Sequence, residues 1–435
     1  MRILFLTHYY TPEGNAPASR VSALVERWVK AGHEVTVLTG FPNVPNGVVY
    51  DGYKNRWKQV EEINGVCVVR VWTYIAPNKG TIRRILNFLS YMFRATLCGL
   101  FMRRPDVMIA TSPQFFCGWA GLLLHFFRRF PFVLEIRDIW PESISTVDAG
   151  LPLGVIKILG KMEKIMYRAA NHIVTVGEGY VAKLVERGVP REKIDVIMNG
   201  VDSTMFFPRE KNVELLKRNA LAGKFVCSYI GTIGMACGLR VVLEAGELLR
   251  KMGRDDIRLV LIGDGALREQ LEAEAREREL SNVLMIGCRP KSEMPDWVAS
   301  SDVNLIHLKK TDLFTTVIPS KIFESAGCAR PMIIGVDGFA KKLVLDAKAG
   351  ISMEPENAED LVDALVKLAN DVALGRHLGQ NAYRHIAKAH NRDQQAKDYL
   401  SILKRFANVG KENQLIHSSC SARVCKLRNT RKARK

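Results

Sequence analysis

Residues 225–234 read FVCSYIGTIG, an apolar run that ends in a glycine-rich turn. The run Phe225–Ile230 has the length and composition of a strand that is buried on both faces. Gly231 and Gly234 follow it at once, and glycine lets a turn approach another chain segment or a ligand closely. A buried strand that opens directly into such a turn is typical of a parallel α/β sheet.

The same pattern recurs on both sides of this stretch. Amphipathic helical segments such as Ser19–Ala31 and Val241–Lys251 separate short apolar runs. The further strands that we predict are Arg2–Thr7, Glu34–Leu38, Val107–Ala110, Phe132–Ile136, His172–Val176, Arg258–Ile262, Val283–Ile286, Val303–Ile306 and Met332–Gly335. Alternation in both halves predicts an α/β protein with two doubly wound, Rossmann-like parallel sheets.

The chain has 435 residues, which suffices for two α/β domains of roughly 100–200 residues each. We place the boundary near Phe206-Phe207-Pro208. The expected divisions are an N-terminal domain over 1–205, a C-terminal domain over 206–385, a helix over 386–409 that crosses back to the first domain, and a disordered basic tail over 410–435.

Cysteine usage and hydropathy indicate a cytoplasmic protein. The nine cysteines are scattered without a Cys-x-x-Cys pair, which argues against a disulfide framework or a zinc ribbon. The first apolar run, Ile3–Leu6, is too short for a signal-peptide core. No uncharged apolar stretch reaches about 20 residues, so we expect no membrane-spanning helix.

The net charge of +18 is concentrated partly at the end of the chain. Eight lysines and arginines and one glutamate follow residue 410, which gives the tail a charge of +7. A solvated end, attraction to a membrane surface and nucleic-acid binding remain open for this tail. We expect no nucleic-acid partner, because no aromatic and basic RNA platform and no recognition helix is evident.

One segment, Ile82–Arg104, is apolar between flanking pairs of arginines. Its spacing predicts an amphipathic helix. Such a helix is suited to lie in the interface of the inner membrane, which would make the protein peripheral. A packed surface helix of the first domain is the alternative.

The segment Ile318–Glu324 carries the strongest local signal for chemistry. Ser320 is a candidate N-cap, and the backbone N–H groups and positive end of the following helix favour an anion. Lys321 adds a positive charge, and Glu324 lies one turn later, where it could accept hydrogen bonds from ribose hydroxyls. An ordinary capped helix with a surface glutamate is the alternative.

Glycine turns end two strands of the same half, at Gly231–Gly234 and at Gly263-Asp264-Gly265. Ligands of open α/β sheets sit at the carboxyl ends of the strands, so these turns predict a pyrophosphate pocket shared with Ser320. Turns without a ligand are the alternative.

Polar residues also follow two strands of the first half. The loop Tyr10–Pro17 follows the first strand, and the stretch Glu135–Ser143 follows another. The second stretch suggests sugar recognition or proton handling, or else a structural Arg–Asp pair. No Asp-x-Asp, GxxxxGK[ST] or GxSxG motif occurs, which argues against a metal-chelating diphosphate site, P-loop ATPases and the usual hydrolases.

Together these motifs resemble the retaining nucleotide-sugar glycosyltransferases of family 4, which have the GT-B fold with two domains facing across a cleft. The resemblance spans roughly residues 1–400. Its landmarks are Gly32–Val37, Asn199–Asp202, Gly231 with Gly234, Gly263–Gly265, and Pro319–Lys321 with Glu324. The segments Gly14–Arg20 and Arg137–Ser143 look like the branch that builds O-antigen and capsule, some members of which use UDP-N-acetylfucosamine.

The resemblance implies transfer of a sugar from a UDP-sugar to a lipid-linked glycan at the membrane, with retained configuration and without a metal or other cofactor. The implied donor-binding residues are Gly14, Asn15, Gly231, Thr232, Gly234, Gly263, Asp264, Arg289, Ser320, Lys321, Ile322 and Glu324. The implied acceptor-side residues are Arg20, Arg137, Asp138, Trp140 and Glu142. Asp138, Lys321 and Glu324 form the implied catalytic set.

Three departures from the family pattern stand out. Thr316 occupies the place of a glutamate eight residues before Glu324 that usually contacts the donor sugar. Thr232 and Cys237 stand where an arginine and a lysine would bind the phosphates, and the basic tail has no family counterpart. The missing glutamate and basic residues leave a non-catalytic nucleotide- or membrane-binding partner as one alternative. A UDP-sugar 2-epimerase is another, because it has the same architecture.

Overall fold

The computed structural model describes residues 1–44, 47–75, 81–112, 114–139 and 153–407. Within them the chain forms two sheets, one of eight strands and one of six, with helices on their faces. Every pairing between neighbouring strands is parallel except one hairpin. This architecture confirms the prediction of two Rossmann-like domains.

The first sheet has the strand order β3-β4-β2-β1-β5-β6-β7-β8. Its strands are β1 Arg2–Leu6, β2 Glu34–Thr39, β3 Lys58–Ile63, β4 Val66–Val71, β5 Val107–Thr111, β6 Phe132–Ile136, β7 His172–Thr175 and β8 Ile194–Val196. Strands β1, β5 and β6 are almost entirely buried, as parallel strands covered by helices on both faces must be. Strand β3 pairs antiparallel with β4 at the edge.

Among the described residues, the first domain has five α-helices, and polar side chains cap two of them. The five helices are α1 Ala16–Lys30, α2 Thr81–Leu100, α3 Phe115–Arg128, α4 Leu153–Ala169 and α5 Glu178–Glu186. Asn15 caps α1, because its side chain accepts a hydrogen bond from the Ala18 N–H at 2.9 Å. Gln114 caps α3 in the same way. Both caps fix where the chain turns away from the carboxyl ends of β1 and β5.

The second sheet has the strand order β11-β10-β9-β12-β13-β14. Its strands are β9 Phe225–Ile230, β10 Ile257–Ile262, β11 Val283–Gly287, β12 Val303–His307, β13 Met332–Gly335 and β14 Gly350–Ser352. Its helices are α6 Val213–Arg218, α7 Arg240–Lys251, α8 Arg268–Glu277, α9 Met294–Ser300, α10 Lys321–Gly327, α11 Phe339–Asp346, α12 Ala358–Asn370 and α13 Val372–Asn381. Strand β9 lies inside the sheet, so its glycine turn opens at the centre of the carboxyl edge.

A last helix, α14 over 392–407, returns to the first domain. A π-helix, Ala382–Ala387, precedes it, and Val201 forms an isolated bridge with Asn391 where the chain crosses between the domains. The apolar face of α14 shares one buried cluster with α1 and the core of the first sheet. Two crossing segments, 197–206 and 388–392, thus join the domains.

The apolar segment Ile82–Arg104 falls largely on helix α2, as predicted. One face of α2 packs on the core of the first domain through Phe88, Leu89 and Met92. Across the described residues, no helix is both long and apolar enough to cross a membrane. The basic tail lies outside the described residues.

Candidate active site

Two glycine turns pack against each other at the carboxyl edge of the second sheet. The Gly231 N–H donates to the carbonyl of Ile262 at 2.8 Å, and Gly231 and Gly263 have φ values of 143° and 144°. A Cβ on Gly263 would lie 1.9 Å from the Gly231 oxygen, and one on Gly265 would lie 2.4 Å from the Ile233 oxygen. Glycine at 263 and 265 is therefore required by contact between the two turns.

Lys321 lies on the Gly231 bend. A Cβ on Gly231 would be 2.5 Å from Cε of Lys321, and the Lys321 ammonium lies 3.6 Å from the ring centroid of Tyr229. Burial lowers the pKa of Lys321 to about 8, and the charges of Cys237 and Glu324 act in the opposite direction. The structure thus brings a desolvated cation to the turn expected to hold a pyrophosphate.

The start of helix α10 differs from the expectation. Ser320 occupies the N-cap position, but its side chain makes no capping hydrogen bond. The N–H of Ile322 donates to Pro319 at 3.2 Å and that of Phe323 donates to Ser320 at 3.0 Å, while the Ile322 side chain is buried in the core. Ser320 thus stands at the predicted N-cap position but does not cap the helix with its side chain. Two backbone donors expected to be free are occupied, because the chain enters α10 through a tight turn.

Glu324 lies among three cations, one on its own helix and two from distant parts of the chain. Burial raises its pKa, and the positive charges of Arg392, Lys321 and Lys291 oppose that effect. Lys291 reaches across to the first domain, where its ammonium donates to the Ser19 hydroxyl at 3.0 Å. Arg392 donates to the Gly200 carbonyl at 3.3 Å and lies 3.7 Å from the carboxylate of Asp202. Glu324 therefore sits where the two domains meet.

Several other predicted donor residues lie on the exposed rim of the turns. Thr232, Asp264 and Arg289 are exposed, and Gly234 is half-buried. The Thr232 carbonyl accepts from the Tyr229 hydroxyl at 2.8 Å and from the Cys237 thiol at 3.1 Å, while Asp264 caps its own turn through the Gly265 N–H at 2.8 Å.

Gly14 and Asn15 lie in the loop after β1 in the first domain. Gly14 is exposed with open space where a side chain would point, whereas the Asn15 side chain caps α1. The described structure therefore gives Asn15 a structural use.

Arg20, which was predicted on the acceptor side, is buried, and its guanidinium is engaged by other parts of the protein. Its guanidinium pairs with Glu135 at 3.0 Å, and the two side chains are 6% and 0% exposed. It also donates to the carbonyls of Ile197 and Met198 and to the side chain of Asn199. Arg20 is a structural residue that ties α1 to the chain segment between the domains.

Arg137 and Asp138 follow strand β6. Their backbone N–H groups donate to the Ser112 hydroxyl at 2.6 and 3.2 Å, which fixes the turn after the strand. Burial raises the pKa of Asp138 to about 6, and the charge of Arg137 opposes that effect. Trp140 and Glu142 lie outside the described residues.

This turn lies close to the second domain. Tyr180 on α5 lies close enough to Asp138 and Arg137 for the charges of both to shift the pKa of its hydroxyl. A Cβ on Gly179 would lie 2.8 Å from Cα of Thr316, and one on Gly177 would lie 3.7 Å from the Ile318 side chain. Thr316 itself is buried, and its hydroxyl donates to the Leu313 carbonyl at 2.9 Å. The residue in the place of the family glutamate thus closes a contact between the domains.

Sequence reasoning missed three residues of this site: Tyr229, Lys291 and Arg392. Tyr229 belongs to the quoted strand, and its ring beside a glycine turn could have been noted. Lys291 and Arg392 carry no local motif: Lys291 follows β11 within the second domain, and Arg392 reaches Glu324 only through the chain crossing. Among the described residues, no group of three or more His, Cys, Asp or Glu side chains could hold a metal ion.

Two family models match successive parts of this chain. The glycosyl transferase 4-like domain matches residues 15–200, and the glycosyl transferases group 1 domain matches residues 212–385. WcaI of Escherichia coli K12, assigned as a colanic acid biosynthesis glycosyl transferase, is 26% identical over 380 residues, covering 83% of this chain and 90% of its own. The O-antigen chain mannosyltransferase C of Escherichia coli is 24% identical over 180 residues, 40% of this chain and 45% of its own.

Solved structures share the arrangement of both domains. Sucrose-phosphate synthase from Thermosynechococcus elongatus superposes with a TM-score of 0.75 at 15% identity, over 94% of this chain and 99% of its own. Anabaena HepE in complex with UDP and glucose superposes with a TM-score of 0.69 at 17% identity, over 93% of this chain and 99% of its own. At such identities the likeness establishes the fold. The chain is a glycosyltransferase of the GT-B fold, composed of a glycosyl transferase 4-like domain and a group 1 domain.

Proposed function

We propose that this enzyme transfers a sugar from a UDP-sugar to a lipid-linked glycan during the synthesis of a bacterial surface polysaccharide, with retention of configuration. The observation that carries the proposal is the placement of Lys321 on the Gly231 turn, with Glu324 on the same short helix. A diphosphate at the turn would meet a cation, and a ribose would meet a carboxylate.

The donor assignment has support from related structures. Anabaena HepE was solved with UDP, with UDP and glucose, and with UDP-glucose, and a trehalose-6-phosphate protein of E. coli was solved with UDP-2-fluoro glucose. In this chain we assign the diphosphate to Gly231, Thr232, Gly234 and Lys321, and the ribose to Glu324. Gly263 and Asp264 belong to the neighbouring turn that packs against the Gly231 turn, and Arg289 on the exposed rim would border the uracil base.

The chemistry that we propose is front-face attack by the acceptor hydroxyl. Its oxygen bonds to the anomeric carbon as the bond from that carbon to the diphosphate breaks, and its proton passes to the leaving phosphate oxygen. Positive charge at that oxygen lowers the barrier most, which is the role of Lys321. Asp138 would lie near the reacting sugar on the acceptor side, and closure of the cleft would exclude water.

The acceptor assignment rests on the relatives and on helix α2. Relatives are named for colanic acid and for the O-antigen chain, which are glycans of the cell surface. One face of α2 exposes apolar side chains at helical spacing, and Phe101 just beyond the helix continues this face: Leu86, Phe93, Leu97 and Phe101 are 47%, 74%, 44% and 84% exposed. Arginines flank this face at both ends, which suits an anionic membrane surface that holds a lipid-linked substrate.

Replacing two residues of the donor site tests the proposal. We expect Lys321→Ala to lower turnover about 100-fold or more, because the leaving diphosphate loses its cation. Glu324→Ala should mainly weaken UDP binding. The assay adds a panel of UDP-sugars to lipid extracts of a polysaccharide-producing bacterium and follows UDP release, with UDP binding measured by calorimetry.

Lys342→Ala is the matched control, since this exposed lysine on α11 pairs only with Asp346 among the described residues. An unchanged rate for Lys321→Ala on any competent substrate pair would contradict the assignment. NMR of the product then determines whether the anomeric configuration is retained.

The alternative of a UDP-sugar 2-epimerase is not favoured, because the family models and the curated relatives are glycosyltransferases. An epimerase would convert a UDP-sugar without any acceptor. NMR of the purified enzyme with a UDP-sugar alone separates the two activities. Conversion to a second UDP-sugar would overturn the transferase proposal.

A further inference from the structure

Two arginines from different elements flank the buried carboxylate of Glu135, and their surroundings differ sharply. Arg20 uses its guanidinium fully: it pairs with Glu135 and donates to two backbone carbonyls and to Asn199. The second carboxylate oxygen of Glu135 accepts from the Thr111 hydroxyl at 2.5 Å. Glu135 is therefore already satisfied by Arg20 and Thr111.

Arg137 is left without partners for two of its nitrogens. Its Nε and Nη1 atoms are shielded from solvent and have no hydrogen-bond acceptor among the described residues. Burial lowers the pKa of Arg137, and the charges of Glu135 and Asp138 oppose that effect without supplying a hydrogen bond to these atoms. Buried guanidinium donors are almost always paired, so each exception calls for an explanation.

The position of Arg137 supplies one. It follows strand β6 at the carboxyl edge of the first sheet, where ligands of such sheets bind. Tyr180 on α5 lies near Arg137, because the charge of Arg137 affects the pKa of the Tyr180 hydroxyl. The start of α5 packs on Thr316 and Ile318 of the second domain. The unpaired donors are thus buried beside the junction between the domains.

We propose that Arg137 binds a phosphate oxygen of a substrate at this junction. Two substrates could supply such an oxygen: the donor through its diphosphate, and the acceptor through the phosphate that links its glycan to a lipid. Both substrates are taken from the proposed function, on which this proposal rests. Guanidinium presents paired N–H donors that match phosphate oxygens. A cation from the first domain would also offset the absence of the arginine and lysine replaced by Thr232 and Cys237 in the second.

Calorimetry on the full chain with two probes tests this. The probes are UDP and farnesyl diphosphate, and uridine and farnesol are their uncharged counterparts. We expect Arg137→Gln to lower the affinity for one of the two charged probes about 10- to 100-fold, which is the range for the loss of a charge-assisted hydrogen bond. Arg137→Lys should recover only part of the affinity. Arg376→Gln removes the same charge from an exposed site on α13 and should change neither.

The melting temperature separates a binding role of Arg137 from a structural role, because the loss of a structural residue should lower it. Arg137→Gln removes an unpaired buried charge, so Tm should stay the same or rise, whereas Arg20→Gln should lower it. A loss confined to UDP would assign Arg137 to the donor, and a loss confined to farnesyl diphosphate would assign it to the acceptor.

Arg137→Gln that binds both probes as the wild type does, or a wild type that binds neither, would overturn the inference. If binding depends on Arg137 but the enzyme transfers no sugar, the proposed function is refuted and the inference on Arg137 stands.

Discussion

At the scale of single residues, the titration of Lys321 gives a direct prediction. Its pKa of about 8 lies below the usual lysine value because the ammonium is buried. The charged form, which attracts a diphosphate, dominates at pH 7 and is lost as the pH rises through 8. We expect UDP affinity to fall about tenfold between pH 7 and pH 9 if only the charged form binds.

The matched variant is Lys321→Arg, whose charge persists over this range. Its UDP affinity should stay flat between pH 7 and pH 9, whatever its absolute value. Calorimetry at constant ionic strength provides the measurement. A wild-type affinity that is independent of pH would show that Lys321 does not neutralise the diphosphate.

The contact between the glycine turns gives a second prediction. Gly263→Ala places a Cβ 1.9 Å from the Gly231 oxygen at a φ of 144°, so the backbone itself must shift. We expect a loss of at least about 2 kcal/mol of unfolding free energy, together with weaker UDP binding. Gly14→Ala is the control, since nothing lies within 4 Å of its Cβ position. Denaturant unfolding that shows equal stability for the two variants would refute this account of the turn.

Some of the site could be predicted from local sequence and some could not. The rule that strand ends share one edge was enough to predict that Gly231 and the segment at Lys321 lie together. The same rule could not show that Arg20 is consumed by Glu135, because that pair depends on how α1 packs on the sheet. The role of Arg392 beside Glu324 depends on a chain crossing that no local pattern encodes.

At the scale of elements, the predictions were best where strands are buried on both faces. Runs such as Phe225–Ile230 carry a clear apolar signal, whereas the edge hairpin of β3 and β4 was missed because its first strand, KQVEEI, is largely polar and lacks apolar alternation. The signal that could have found it is Asn64-Gly65 between the two strands. Their φ values of 52° and 78° show the left-handed conformations that such a turn requires.

Helix α2 yields a prediction at the same scale. Replacing Phe93 and Phe101 by serine removes the most exposed apolar side chain of its outer face and the exposed one just after its last residue, while the inward face stays packed on the core. We expect binding to vesicles that contain anionic lipid to fall several-fold, without a change in UDP affinity. Phe207→Ser removes an exposed phenylalanine from the second domain and should bind vesicles like the wild type. Equal sedimentation of all variants with vesicles would exclude α2 as the membrane surface.

At the scale of the whole molecule, helix α14 makes the first domain depend on the end of the chain. The Trp28 indole donates to the Ala396 carbonyl at 3.0 Å, and its ring meets that of Tyr399 edge-on with centroids 5.4 Å apart. Arg27 adds ion pairs with Asp202 in one crossing segment and with Asp393 at the start of α14. The first domain therefore completes its core only with α14, so the two domains should unfold together.

Tyr399→Ala tests this dependence. It removes a fully buried aromatic ring between α14 and α1, which should cost about 3–5 kcal/mol at that interface. The wild type should melt in one calorimetric transition that UDP shifts upward as a whole, because ligand binding to either coupled domain stabilises both. In the variant the first domain should melt separately at a lower temperature, and UDP should raise only the second transition. Val372→Ala, an exposed change on α13, should keep the single transition, and a variant Tyr399→Ala that also keeps it would show that α14 does not couple the domains.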